Sequence, residues 1–321
     1  MSLICVTGAT GTQGGSVCRE FINKQGWKVR GLCRNNESQS AKELRALGVE
    51  VVSADLDVPE TLVKAFEGAT AIFATGYFWH FVPQMSLRDA GEAELQQLIN
   101  ISNAAATIET LQHLVLSVVP HADKVSSGRL PCHHLDFKAL SAEYVKKELP
   151  QLAAKTTFLW VGFYVENFLA QENALMCPQP FLGNYLLAAP SKPSGVVPIG
   201  GVVSKNTGIV TRAIIDSGSR VFSKYVPLVT NYVTMADIVS AWGETTGKTA
   251  AFAEIQDTDY AKIFGLWGTE LASQFRFSEE FPSWHSILEP TETVRLEDLG
   301  VEGEVVDFYG GLQQFKSQIK L

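Results

Sequence analysis

An open parallel β-sheet covered by helices on both faces is the architecture this sequence predicts, and three observations predict it. Short apolar runs alternate with segments of helical period through the first half of the chain, the signature of repeated βαβ units. The runs lack the polar alternation of a sheet with one wet face, as expected of strands buried on both sides. A turn with three evenly spaced glycines joins the first run to the first helical segment.

The elements follow in order. Apolar runs at 3–7, 28–33, 49–54, 71–75, 114–118 and 157–161 are the expected strands, and 16–24, 41–47, 62–66, 90–108 and 137–148 the expected helices. After Gly162 the rhythm changes, and Pro178, Pro180, Pro190, Pro193 and Pro198 break the chain into short pieces. Beyond them, 207–217 and 235–246 read as helices and 224–229 and 250–255 as strands. Residues 257–290, rich in Phe and Trp, read as helical, and a short amphipathic helix is expected near 311–319. The division expected is a dinucleotide-binding core over 1–162 and a smaller mixed α/β C-terminal lobe over 163–321, with some elements returning to the core.

Composition narrows the function. The 321 residues carry 26 Lys and Arg against 34 Asp and Glu, a net charge of −8, which argues against direct contact with nucleic acid because phosphate binding needs a cationic face. A mean hydropathy of +0.07 and 46% hydrophobic residues fit a globular chain with a large core. No run approaches the roughly 18 apolar residues of a membrane span. The start, MSLICVTGATG, has no basic region and reaches its glycines too soon for a secretory leader. Five cysteines scattered through apolar segments suit a reducing compartment, so the expectation is a cytoplasmic protein with the nucleus as a second location.

The glycine turn carries the chemistry. In Val6-Thr7-Gly8-Ala9-Thr10-Gly11-Thr12-Gln13-Gly14 the glycines have separate tasks. Gly8 permits the tight turn, Gly11 lets backbone N–H groups approach a pyrophosphate, and Gly14 lets the helix pack on the strand. The anion then sits at a helix N-terminus, where unpaired N–H groups and the macrodipole favour it. This is a Rossmann-type arrangement; the alternative is a flavodoxin-like sheet whose glycines serve only packing. The second strand ends on Arg34 rather than on an acid, which suits the 2′-phosphate of NADP(H), although Glu37 lies close by and Arg34 could be merely a solvated strand end. Asp55 and Leu56 close the third strand, beside the adenine. Thr75, Gly76 and Tyr77 close the fourth, under the nicotinamide ribose.

These segments resemble the NmrA-like family of atypical short-chain dehydrogenases/reductases, most closely its NADPH-sensing subgroup. The resemblance runs over nearly the whole chain through the glycine turn, Arg34, 41–52, Tyr77-Phe78-Trp79, His134-Leu135-Asp136-Phe137-Lys138 and Phe163-Tyr164-Val165-Glu166-Asn167-Phe168. It implies NADP(H) held by Gly8, Thr10, Gly11, Thr12, Gln13, Gly14, Arg34, Asp55, Leu56, Thr75, Gly76, Tyr77, Lys138, Tyr164, Glu166 and Asn167, with Arg88 near a cofactor phosphate. Relatives usually carry further basic residues after the strand-two Arg, where this chain reads Asn35-Asn36-Glu37.

The catalytic pattern departs from the classical one. Tyr-x-x-x-Lys puts a phenol and an ammonium on one helix face; here the residue four before Lys138 is His134, and Tyr144 is followed four later by Glu148. His134 is the candidate proton donor, since an imidazole titrates near pH ~6.5. Lys138 is expected to hold the nicotinamide ribose, and Ser117 to reach a substrate oxygen or to cap its loop. Cys132-His133-His134-x-Asp136 looks like a metal motif, but neighbours on a helix point to different sides, so no metal is expected. Two functions follow: NADPH-dependent reduction of a C=O or activated C=C in a small apolar or aromatic molecule, or a catalytically silent NADP(H) redox sensor acting through a protein partner or a second copy of the chain.

Overall fold

The computed structural model describes residues 1–169 and 175–321. Its first half runs β1 (Ser2–Val6), α1 (Thr12–Ile22), β2 (Trp27–Cys33), α2 (Gln39–Ala46), β3 (Glu50–Ser53), α3 (Pro59–Phe66), β4 (Ala71–Ala74), α4 (Leu87–Ala106), β5 (His113–Val118), α5 (Ala122–Val125), α6 (His133–Glu148), α7 (Pro150–Ala153) and β6 (Thr156–Val161). The second half runs β7 (Phe163–Tyr164), β8 (Gln179–Phe181), β9 (Asn184–Ala189), β10 (Val196–Gly201), α8 (Val203–Ser217), β11 (Tyr225–Leu228), β12 (Asn231–Thr234), α9 (Met235–Thr246), β13 (Ala250–Glu254), α10 (Asp257–Glu280) and α11 (Phe308–Gln314).

The central sheet has seven strands in the order β11-β6-β5-β4-β1-β2-β3. Every pairing is parallel, and the 3-2-1-4-5-6 order places the switch between β1 and β4, the crevice where open α/β sheets take ligands. Burial explains the apolar runs: β4, β5 and β6 are buried at every residue. One face packs on Leu62 and Phe66 of α3, Leu98 and Ile101 of α4 and Ala142 and Val145 of α6. The other packs on Val17, Cys18 and Phe21 of α1 and Val210 and Ile214 of α8. The doubly wound Rossmann-type sheet is therefore present, and β11 and α8, from the second half, complete it. Two three-stranded sheets, β12-β10-β7 and β13-β9-β8, share a separate core with α9, α10 and α11 built on Trp242, Tyr260, Phe275 and Phe308. No described helix is long and apolar enough to cross a membrane.

Several boundaries differ from the sequence expectation, each for a local reason. Helix α1 starts at Thr12 rather than 16, because Gly14 and Gly15 are held by packing despite their poor helix propensity. Helix α6 starts at His133 rather than 137, because Asp136 Oδ2 accepts the Cys132 N–H at 2.7 Å and secures the first turn. The proline-rich stretch holds three strands, with Pro180 on the edge strand β8, where a missing N–H is tolerated. Helix α10 breaks its path at Gly265 (φ 59°) and ends at Glu280, and beyond it the short 3-10 helices Trp284–Ser286 and Pro290–Glu292 stand in place of a continuous helix to 290.

Candidate functional site

A cleft of about 680 Å³ opens over the C-terminal ends of β1, β4, β5 and β6. At one end lies the glycine turn. Gly8 sits at φ +59°, the left-handed region open to glycine, and folds the chain so that Gly11 N–H donates to Gly8 O at 2.9 Å. A Cβ on Gly14 would stand 2.3 Å from Gly8 O, so α1 can approach the turn this closely only without a side chain there. Gly11 precedes the first residue of α1 without any side-chain cap, and the first turn carries no acidic residue. Its N–H groups are thus left to an anion, and the cradle fits the pyrophosphate of a dinucleotide.

Arg34 borders the same end, its Nη1 donating to His80 Nε2 at 2.8 Å. Glu37 is turned towards Arg45, 3.8 Å away. Beside the turn runs a chain of three polar groups: Ser117 Oγ donates to Gln13 Oε1 at 2.8 Å, and Gln13 Nε2 donates to Tyr164 Oη at 2.7 Å. Burial pushes the Tyr164 phenol up to about 12, so it stays protonated at neutral pH.

At the other end stand His134 and Lys138, one helical turn apart on α6. Lys138 Nζ donates to Glu94 Oε2 at 2.7 Å and to the His134 carbonyl at 3.3 Å. Glu94, on α4, is wholly buried and also accepts the Phe78 N–H at 2.8 Å. His134 is held by a second wholly buried carboxylate, Glu270 of α10, whose Oε1 is 2.8 Å from its Nδ1. Burial alone would raise the Glu270 carboxyl, but hydrogen bonds from His133 and His134 outweigh it and hold the group far below the usual carboxylate range. The His134 ring lies 5.1 Å from that of Trp79, which stacks on Trp267 at 4.7 Å and 14°. Phe78, Phe81, Phe163, Leu175 and Met176 complete this apolar end.

The cleft thus brings together Gly8, Thr10, Gly11, Thr12, Gln13, Gly14, Arg34, Leu56, Thr75, Gly76, Tyr77, Ser117, His134, Lys138, Tyr164 and Asn167. Three expected residues are not among those that line it. Asp55 Oδ1 accepts the Asp57 N–H at 3.0 Å, closing a local turn. Arg88 pairs with Glu92 on the exposed side of α4, at 2.9 Å. Glu166 accepts the Val203 and Ser204 N–H groups at 3.3 and 2.8 Å, capping α8. The metal question also changes form. Asp136 is used by the N–H groups of Cys132 and Asp123, while Cys132, His134 and Glu270 bring potential ligand atoms within 4.8 Å of one another. Glu94, Glu270 and Trp267 were not singled out from sequence. Each is one residue on a long helix, with no motif to mark it.

The sequence pattern of the NmrA-like family matches residues 1–304. Among curated relatives, the NmrA-like family domain-containing oxidoreductase cpsB of Aspergillus campestris is 28% identical over 308 residues, 91% of this chain and 87% of that protein. An NmrA-like family domain-containing protein of Dictyostelium discoideum is 25% identical over 291 residues, 87% of each chain. Among solved structures, NmrA, a negative transcriptional regulator, in complex with NADP superposes with a TM-score of 0.77 at 19% identity, covering 98% of this chain and 95% of its own. The NADPH-dependent quinone oxidoreductase QOR2 of Escherichia coli, complexed with NADPH, gives 0.67 at 19% identity and 98% of both chains. At such identities the likeness establishes the fold.

Proposed function

The chain belongs to the NmrA-like family, and from that premise we propose that it is an NADPH-dependent reductase of a small, planar, largely apolar carbonyl or enone. The observation that carries this reading is the continuity of the cleft. The uncapped α1 N-terminus and Arg34 at one end share a single cavity with His134, Lys138 and the Trp79–Trp267 stack at the other. The names of the relatives accord with it, since several are oxidoreductases and two neighbouring structures hold NADP or NADPH.

Each residue then has a task. The first-turn N–H groups of α1 receive the pyrophosphate, and Arg34 leaves His80 to form charge-assisted bonds with the 2′-phosphate. Lys138, held in place by Glu94, orients the ribose next to the reacting ring. When bound, the reduced nicotinamide supplies a hydride. His134 gives its Nε2 proton to the substrate oxygen, or to the carbon of an enone, and leaves as neutral imidazole to be reprotonated from solvent. The indoles of Trp79 and Trp267 present flat apolar faces and keep water from the reacting atoms. Five free cysteines accord with the cytosol as its compartment.

A second reading, a catalytically silent NADP(H) sensor, is favoured by the replacement of the classical phenol by His134 and by the regulator among the structural neighbours. One experiment separates the two: NADPH oxidation measured against quinones, enones and aromatic ketones, alongside calorimetric binding of NADPH and NADH. Turnover of any member supports the reductase. NADPH binding with no turnover across the panel supports the sensor.

A further inference from the structure

The carboxylate of Glu270 accounts for four donors, and none of them belongs to a cofactor. Its Oε1 lies 2.7 Å from the His134 backbone N, 2.8 Å from His134 Nδ1 and 3.4 Å from Cys132 Sγ, and its Oε2 lies 3.2 Å from His133 Nδ1. An ionised carboxylate can only accept. Every facing group must therefore donate, and His134 Nδ1 must carry a proton. Among the described residues no protein hydrogen-bond partner faces Nε2, the remaining ring nitrogen, and His134 is one of the residues that line the cleft.

We propose that Glu270 is the positioning residue of this site: it reaches across from α10 and fixes His134 in the Nδ1–H form with Nε2 towards the cleft. The proposal rests on the reductase reading for its catalytic consequence but not for the tautomer, which is a property of the protein alone. The groups facing His134 are Glu270 from α10, Cys132 and His133 from the start of α6, and Lys138 one turn later on the same helix, itself tied to Glu94 of α4. Asp136 is turned away, engaged with the N–H groups of Asp123 and Cys132. Phe78 and Trp79 face the ring from the remaining side, so no other described carboxylate can replace Glu270 there.

The backbone N–H of His134 makes the test sharper. It points at the same oxygen as Nδ1, so a glutamine at 270 would be held with its carbonyl there and its amide towards His133. Glu270→Gln should therefore keep the His134 tautomer and remove only the charge, whereas Glu270→Leu removes both. The experiment is long-range ¹H–¹⁵N NMR of the full chain labelled at histidine, paired with rates of NADPH oxidation. Wild type and Glu270→Gln should show Nδ1 protonated and Nε2 bare in neutral His134, and Glu270→Leu should lose that preference. Turnover should fall about 10-fold in Glu270→Gln, and NADPH affinity should be unchanged. In a His134→Ala background, Glu270→Gln should lower turnover no further. The wild-type spectrum decides the matter even if Glu270→Leu fails to fold. A wild-type His134 protonated at Nε2 alone when neutral would overturn the proposal, as would an additive effect of Glu270→Gln without His134. A stoichiometric transition metal in the purified protein would also overturn it, because an ion on Nδ1 displaces that proton. If the tautomer is as stated but no substrate is reduced, the reductase reading fails and the positioning stands.

Discussion

At the glycine-turn end of the cleft the working groups are backbone N–H donors supplied by one continuous stretch, β1, its turn and α1. At the His134 end they are side chains from three helices, Glu94 on α4, His134 and Lys138 on α6, and Glu270 on α10. The first end is made by what the residues lack, a Cβ at Gly14 and a cap at Gly11. The second is made by buried charges that must be paired where they stand. On the proposed reading, an anion site is written in nine consecutive residues, whereas a proton-transfer site depends on how distant helices pack.

Substitutions sharpen this contrast. At the first end, Gly14→Val should have the largest effect on folding: its Cβ would enter the Gly8 carbonyl, and a loss of at least about 4 kcal/mol should appear as a steep fall in Tm. Gly11→Val should act mainly on binding. Its backbone at φ −92°, ψ 179° admits any residue, and its Cβ would stand 3.3 Å from Gly8 O, a tight contact to which the turn must yield slightly, so Tm should fall far less than in Gly14→Val while NADPH affinity falls about 100-fold or more. If Gly11→Val binds NADPH normally, the turn is only structural.

At the second end, Lys138→Ala should cost about 3 kcal/mol because it leaves the Glu94 carboxylate buried without its cation. The double variant Lys138→Gln with Glu94→Gln should recover most of that Tm, yet still bind NADPH weakly. Recovery of both would mean that Lys138 serves Glu94 alone.

How much of this was legible in the sequence follows the same division. The six strands of the first half and the glycine turn could be read because periodicity and spacing are local. Strand β11 was read as a strand, but its place beside β6 could not be, since nothing in 225–228 states its neighbour. Asp55, Arg88 and Glu166 lie near the expected elements but satisfy a turn, an ion pair and a helix cap instead. Position on an element was legible; the direction of the side chain was not. Neighbouring side chains at 132–136 diverge on one helix, and Glu270, which brings a carboxylate to Cys132 and His134, lies on another, so no spacing within the motif announces it.

Two smaller effects test the two ends in turn. Arg34→Ala should weaken NADPH about 10- to 150-fold, equivalent to about 1.5–3 kcal/mol, and leave NADH unchanged, as measured by calorimetry. Equal affinity of the wild type for both cofactors would remove the 2′-phosphate from the account. The hydrogen bond to Glu270 raises the His133 imidazole above its ordinary value of about 6.5. A raised value means a contribution that is full below about pH 6.5 and lost as the pH climbs through the folded-state value, so His133→Ala should flatten the fall of Tm on the alkaline side. An unchanged slope would separate His133 from the carboxylate.

The measurement that bears most directly on the central claim, one cleft that binds NADPH at the glycine turn and moves a proton at His134, is stopped-flow NADPH oxidation by wild type and His134→Ala at saturating cofactor. The account predicts a fall in kcat of about 10² to 10⁴ with NADPH Kd within a factor of two, because a proton donor acts in the transition state and does not hold the nucleotide. Equal turnover by the two proteins, or tight NADPH binding by a wild type that oxidises none of it against any carbonyl or enone, would contradict it.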